Sequence, residues 1–189
     1  MIRFVFNERK TAQAAAYLLR LNGGRMKYMK LLKILYLADR ESLLRTGRPI
    51  TGDCYVSMDN GPILSKTYDL VAEDPEDPAR PWFEYIAPPQ DYSVEMRKSE
   101  PESDELSPFE IGLLGDLFER FKDVDQFALA RLTHSICPEW RDPKGSSLPI
   151  APEEILRVGG RSEEEIERIV RESQDLQLMA QVHTLVGPT

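Results

Sequence analysis

One stretch in the first third of the chain, residues 30–41, reads KLLKILYLADRE. Its apolar residues recur at spacings of three and four, which is the period of a helix that turns one face towards a protein core. Ile34 and Leu37 widen that face, so we expect this helix to be buried on more than one side. We predict a helix over residues 26–45 that ends at Gly47, because glycine tolerates the left-handed conformation of a helix C-cap.

Shorter elements are predicted on both sides of this helix. Residues 7–21 suit a helix with Asn7 as its N-cap. Gly61 suits a turn, and Pro62 suits the first position of a helix that runs to about residue 72. Ser107 begins a further helix with a capping box. The other predicted elements are strands at residues 53–58, 83–87 and 92–97 and helices at residues 124–135 and 162–181.

These elements predict an α+β fold that is mainly α. Five or six helices form the core of a single domain, residues 1–189. A small antiparallel sheet is expected from residues 53–58, 83–87 and 92–97, and its last two strands could form a wing. Residues 138–152 contain four prolines and are expected to be mostly irregular.

The composition is that of an ordinary globular protein. The chain has 189 residues, and 41% of them are hydrophobic, which is enough for a real core. No apolar run approaches the ~20 residues of a membrane-spanning helix, and the first ten residues lack the pattern of a signal peptide. Two cysteines, Cys54 and Cys137, cannot staple a secreted scaffold of this size, so we expect a cytoplasmic protein.

The sequence offers little for catalysis or for cofactor binding. His134 and Cys137 could supply two metal ligands, whereas a structural site normally needs four. The paired glycines at residues 23–24 and 159–160 lack the preceding strand that a phosphate-binding loop requires. We therefore expect no metal, no cofactor and no enzymatic activity.

The charges are unevenly distributed along the chain. Residues 1–72 hold twelve Lys and Arg against six Asp and Glu, while residues 73–189 hold twelve against twenty-six. The basic part suggests an acidic partner, protein or nucleic acid, unless the two parts attract each other within the fold. A winged-helix DNA-binding regulator is the alternative function, with phosphate contacts from Lys27, Lys30, Lys33 and Arg40. A pI of about 4.9 argues against nucleic acid as the partner, because dedicated nucleic-acid binders lie above about 9.

Several short sequence motifs, in a fixed order along the chain, resemble those of the Panacea domain. This family is also described as SocA-like or GepA-like and phage-associated. The resemblance covers about residues 10–142 and is densest at residues 27–72, while the helix at residues 162–181 lies outside it. The matching motifs and residues are residues 30–41, GRPITGD at residues 47–53, Tyr55, Met58, GPILS at residues 61–65, YDL at residues 68–70, LTH at residues 132–134, and Trp140.

The resemblance implies a function that composition and spacing could not name. Panacea proteins are antitoxins of bacterial and phage toxin–antitoxin systems, and they neutralise a cognate toxin by direct protein contact. Within the family, adaptors deliver the toxin to the ClpXP protease, so ClpXP is a possible second partner.

The candidate site residues fall into two groups. One group offers charge and aromatic area and is expected to contact the partner, on the basic face of the second helix and on the segment of residues 61–68. Its members are Lys30, Lys33, Tyr36, Arg40, Tyr55, Ser65, Lys66 and Tyr68. The other group is expected to serve packing and turn geometry, so much of the family pattern would encode the fold. Its members are Leu31, Leu35, Asp39, Asp53, Gly61, Pro62, His134 and Trp140.

Overall fold

A computed structural model describes residues 2–72 and 79–186, with side chains up to residue 179. Within these ranges the fold is α+β and mainly helical, as predicted, with eight helices rather than five or six. The helices are α1 (Glu8–Leu21), α2 (Tyr28–Thr46), α3 (Ser65–Ala72), α4 (Pro81–Tyr85), α5 (Pro108–Phe121), α6 (Gln126–Ile136), α7 (Pro152–Val158) and α8 (Glu163–Val186). The strands are β1 (Arg25–Lys27), β2 (Tyr55–Met58), β3 (Gly61–Leu64), β4 (Ser93–Glu95) and β5 (Leu148–Ile150).

Helix α2 lies at the centre of the molecule. It packs against α1, α5, α6, α7 and β3, and twelve of its nineteen residues are buried. Leu31 and Leu35 belong to one hydrophobic cluster that extends from Ile2 to Ile169. The predicted burial of this helix on more than one side is therefore confirmed. Within the described residues, no helix is both long and apolar enough to cross a membrane.

The predicted helix starts agree with the structure where a cap was recognised. The Asn7 side chain accepts a hydrogen bond from the Lys10 N–H, and Ser107 forms the capping box with Glu110. Helix α6 begins at Gln126, two residues later than the predicted start at residue 124. The Asp125 carboxylate accepts from the N–H groups of the second and third residues of α6, so Asp125 is its N-cap.

The predicted pairing of the strands is wrong. Strand β2 pairs antiparallel with β3 and with β5, while β4 pairs antiparallel with β1 in a separate two-stranded sheet. Residues 83–87 are not a strand, because Pro81 starts α4 and this helix runs to Tyr85. The expected wing is therefore absent from these residues, since residues 83–87 and 92–97 share only the isolated bridge between Ile86 and Met96. Residues 148–150, expected to be irregular, form β5.

The segment after the turn at Gly61 also differs from the prediction. Pro62 lies in β3, an edge strand, and not at the start of a helix. An edge strand tolerates proline where the backbone N–H would point away from the neighbouring strand. The N–H that proline lacks would form no hydrogen bond within the sheet there. The helix starts instead at Ser65, where the Asp53 carboxylate accepts hydrogen bonds from the N–H groups of Lys66 and Thr67.

Candidate partner-binding site

The two lysines of α2, Lys30 and Lys33, are inside the protein. Lys33 is 1% exposed, and its ammonium group donates a hydrogen bond of 2.8 Å to the carbonyl of Pro62. Lys30 is also buried and donates to the carbonyl of Lys122, at the end of α5. The exposure that we expected for Lys30, Lys33 and Tyr36 is therefore wrong, because α5, α6 and β3 cover the face of α2 that carries them.

Tyr36 and Arg40 share a buried carboxylate. The Tyr36 hydroxyl donates to Glu139 Oε1 at 2.6 Å. The Arg40 guanidinium donates to both carboxylate oxygens of Glu139, at 2.7 and 3.2 Å. Burial, together with the charge of Glu139, raises the pKa of Tyr36 well above its usual value. This network ties the segment after α6 to α2, and neither Tyr36 nor Arg40 is free to anchor a partner.

Two aspartates of the family pattern hold the connection between α2 and α3. Asp39 accepts hydrogen bonds from the N–H groups of Ile50 and Thr51, from the Thr51 hydroxyl, and at 3.4 Å from the Tyr55 hydroxyl. Asp53 caps α3 as described above. Tyr55 is only 2% exposed, so it does not offer the surface area that the expected partner contact requires. Asp39 and Asp53 position the backbone, which is the packing role predicted for them.

The remaining pattern residues fix the packing of α6 on the β2–β3 hairpin. The Trp140 ring stacks on the His134 ring with centroids 3.9 Å apart, and the Trp140 N–H donates to the carbonyl of Met58. Gly61 has φ of +91°, and a Cβ atom there would lie 2.3 Å from the Thr133 hydroxyl oxygen. Only glycine combines this conformation with so close an approach of α6.

We therefore expect Gly61→Ala to destabilise the protein by about 2–4 kcal/mol, through backbone strain and overpacking against Thr133. Chemical denaturation monitored by circular dichroism measures the effect. Gly112→Ala is the matched control, because its added Cβ meets nothing within 4 Å. Equal stability of the two variants would contradict the structural role of Gly61.

Three tyrosines line a surface groove on the opposite side of α3 from the N-terminal segment. Tyr92 is 72% exposed and Tyr68 is 37% exposed. The Tyr28 ring lies between them, with its centroid 6.1 Å from that of Tyr92. Two cavities, of about 160 Å³ and about 320 Å³, adjoin here, and Tyr28 and Tyr68 line both. We call this surface the tyrosine groove.

Tyr92 is held in an unusual backbone conformation. Gln90 and Ser93 exchange two backbone hydrogen bonds of 2.8 Å, which closes a hairpin turn with Asp91 and Tyr92 as its central residues. Their φ angles are +50° and +59°. Such turns favour Asn-Gly, and a left-handed tyrosine costs about 1 kcal/mol or more. The turn is fixed because the Tyr28 N–H and the Lys27 ammonium donate to its carbonyl groups.

A larger concavity, of about 650 Å³, lies on the other side of α3. Residues 2–4, 52–55 and 149–152 line most of it, and Lys66 lines it too. The Lys66 ammonium lies 5.2 Å from the centre of the Phe6 ring. Lys66 and Tyr68 therefore face different surfaces, although they are only two residues apart on α3.

The sequence model of the family "antitoxin SocA-like, Panacea domain" matches residues 31–141. The chain belongs to the Panacea family. No curated protein and no solved structure matches it. The matched segment runs from α2 to the residue after Trp140, so it contains the whole network around Glu139. It starts later than residue 10, where we placed the beginning of the resemblance, and it leaves α7 and α8 outside.

The Panacea pattern in this chain consists largely of residues that build the fold. Leu31, Leu35, Asp39, Asp53, Gly61, Pro62, His134 and Trp140 all have packing, capping or turn roles in the structure. Of the residues expected to contact a partner, Lys66 and Tyr68 are exposed, Ser65 is half-buried at the start of α3, and Arg40 is paired with Glu139.

Sequence reasoning missed Tyr28, Tyr92 and Glu139. Tyr28 fits the apolar period of α2, and Tyr92 continues the alternation of a half-buried strand. The alternation holds for Val94, which is buried, but not for Tyr92. Glu139 gave no local signal, because its partners on α2 lie about a hundred residues away in the chain.

The structure also bears on the alternative functions. The DNA-binding hypothesis loses the basic helix face on which it rested, because Lys30 and Lys33 are buried and Arg40 is paired. Among the described residues, no group of three or more His, Cys, Asp or Glu is arranged to hold a metal ion. Cys54 is exposed, Cys137 is buried, and both are free thiols.

Proposed function

We propose that this Panacea protein is an antitoxin that neutralises a partner toxin by direct contact through the tyrosine groove. The observation that carries the proposal is the exposure of Tyr92 at a left-handed turn position. Folding alone favours glycine there, so stability does not explain the tyrosine ring at this position. An exposed aromatic ring held rigidly at the rim of a groove suits a binding anchor.

The groove has the parts that protein interfaces use. Tyrosine combines a large apolar area with a hydroxyl group and few rotatable bonds, so it anchors partners at a small entropic cost. The two adjoining cavities can receive side chains of the partner on either side of Tyr28 and Tyr68. The turn of Tyr92 is held by hydrogen bonds from β1 and from the first residue of α2, so the anchor is ordered before binding.

The proposed role is that of a binding protein and not of an enzyme. Membership of an antitoxin family supports it. We infer that the protein works in the reducing cytoplasm, where its toxin is made, and the two free thiols support this location. Delivery of the toxin to ClpXP is one way in which contact could end in neutralisation.

Growth rescue of cells that express the toxin encoded beside this gene tests the proposal. Tyr92→Gly removes the ring and relieves the backbone, so its stability should stay within about 1 kcal/mol of the wild type. Its affinity for the toxin should fall about tenfold or more, and Tyr68→Ala should behave similarly. Both variants should then rescue growth poorly.

Phe127→Ala is the matched control, because Phe127 is an exposed aromatic residue, at 55%, away from the groove on α6. Lys66→Glu tests the larger concavity on the other side of α3. If the two tyrosine variants neutralise fully while Lys66→Glu fails, the groove is the wrong surface. Rescue by the wild type in cells without ClpX would show that contact alone neutralises, and loss of rescue there would assign an adaptor step.

A further inference from the structure

Lys33 is a buried cation without a carboxylate partner among the described residues. Within residues 2–72 and 79–186, the one hydrogen bond of its ammonium group is the bond to the Pro62 carbonyl. An ammonium group has three donors, and buried charges in proteins are normally paired. By contrast, Lys10 and Lys98 pair with glutamates although both are more exposed. Below pH 7 the fold thus carries a buried positive charge that no carboxylate among the described residues compensates.

The side chain of Lys33 lines the smaller cavity of the tyrosine groove. Met29, Leu32 and Ile63 give this cavity apolar walls, and Asn60 adds a second polar side chain. Met58, Tyr28 and Tyr68 complete the lining. A volume of about 160 Å³ is close to that of a cavity that holds one benzene ring, so there is room for one side chain and not for a drug-sized ligand.

We propose that this cavity receives a carboxylate side chain, Asp or Glu, from the partner protein, and that the carboxylate pairs with Lys33. The inference rests on the proposed function, since it names the chemistry of the group that the toxin inserts into the groove. The apolar walls exclude water, which strengthens the attraction between the two charges. The Asn60 amide can donate a further hydrogen bond to the carboxylate.

The pairing has a consequence for pH. Burial lowers the pKa of Lys33 to about 7, and a bound carboxylate would raise it again. Binding therefore takes up a proton above pH 7, and affinity should weaken about tenfold for each further pH unit.

The groups that face Lys33 leave it as the one that titrates between pH 7 and 9. Burial raises the pKa of the Cys137 thiol to about 12, and burial together with Lys33 itself lowers the pKa of His134. Both side chains are thus neutral in this range. Burial also raises the pKa of Tyr28, and an ordinary tyrosine titrates only near pH 10. Glu139 forms an ion pair with Arg40.

Propionate is the probe, and propionamide is its uncharged isostere. Either one is titrated into the full-length protein labelled at lysine Cε and at the Ile63 methyl group, and NMR shifts are followed between pH 6.5 and 9. We expect saturable shifts at both labels with propionate, weakening above pH 7, and none of comparable size with propionamide. Lys33→Met should abolish the propionate response.

Equal responses to the two compounds, or binding that does not change with pH, would overturn the inference. The pH dependence is measured on the wild type, so the test holds even if Lys33→Met fails to fold. Toxin binding separates the two proposals. If Tyr92→Gly loses neutralisation while folded Lys33→Met retains it in full, the tyrosine groove is the toxin-binding surface, but no toxin carboxylate pairs with Lys33. If both variants neutralise like the wild type, the groove itself is wrong.

Discussion

Replacing Glu139 with alanine is expected to lower the free energy of unfolding by about 3–5 kcal/mol, because it leaves a buried cation and a buried hydroxyl without their partner. The Glu139 side chain has no exposed surface, and that of Arg40 is only 14% exposed. The Arg40 guanidinium and the Tyr36 hydroxyl both donate hydrogen bonds to this carboxylate. Removing it also releases the segment after α6 from α2.

Thermal and urea denaturation measure this loss. For a chain of this length, 1 kcal/mol corresponds to about 2–4 °C, so the melting temperature should fall by roughly 6–20 °C. Glu164→Ala is the matched control, since Glu164 is exposed on the first turn of α8 and its loss should change stability by less than about 0.5 kcal/mol. A loss below about 1 kcal/mol for Glu139→Ala would contradict a central role for the network.

Six of the eight helices in the described residues could be predicted, because their signals are local. The caps at Asn7 and Ser107 and the apolar period of α2 each depend on residues within a few positions of one another. The strand pairs depend on contacts that no local pattern specifies. Strand β5 reaches β2 from about ninety residues away, so its pairing could not be read from a three-residue segment with proline at its centre.

The same reason explains why the interface was first placed on α2. Lysine and tyrosine usually lie on the surface, so a stripe of them on one helix favours an exposed face. Here the stripe is covered because Pro62, Lys122 and Glu139, each distant in sequence, supply acceptors for it. Tyr92 was missed for a different reason. Its exposure depends on the left-handed turn. Asn-Gly is the sequence that predicts such a turn, and this chain has Asp91-Tyr92 instead.

At two positions of the groove, the residue present is not the one that would give the most stable fold. Tyr92 occupies a turn position at which glycine would fold more easily, and Lys33 occupies a core position at which an apolar side chain would. In both cases a residue that disfavours the fold lines the same surface. Such conflicts between local stability and side-chain choice are typical of functional sites.

Lys33→Met is expected to stabilise the isolated protein by about 2–4 kcal/mol below pH 7, because methionine fills the same space without a buried charge. The lowering of the Lys33 pKa from 10.5 to about 7 corresponds to roughly 4–5 kcal/mol of stability lost while the folded protein carries this charge. Loss of the hydrogen bond to Pro62 offsets about 1 kcal/mol of the gain. Urea denaturation at pH 6, 7.5 and 9 measures the difference between variant and wild type.

The sign of the pH dependence distinguishes this cause from a general improvement in packing. Below pH 7 the folded and the unfolded wild type both carry the Lys33 proton, so the full penalty applies. Between pH 7 and 10.5 only the unfolded chain keeps that proton, so the stability of the wild type rises relative to the variant. The advantage of Lys33→Met should therefore be about 2–3 kcal/mol smaller at pH 9 than at pH 6. Lys66→Met, at an exposed lysine, should show no such trend. A constant advantage across this range would mean that Lys33 is neutral or compensated in the folded protein, and the unpaired charge in the groove would then not exist.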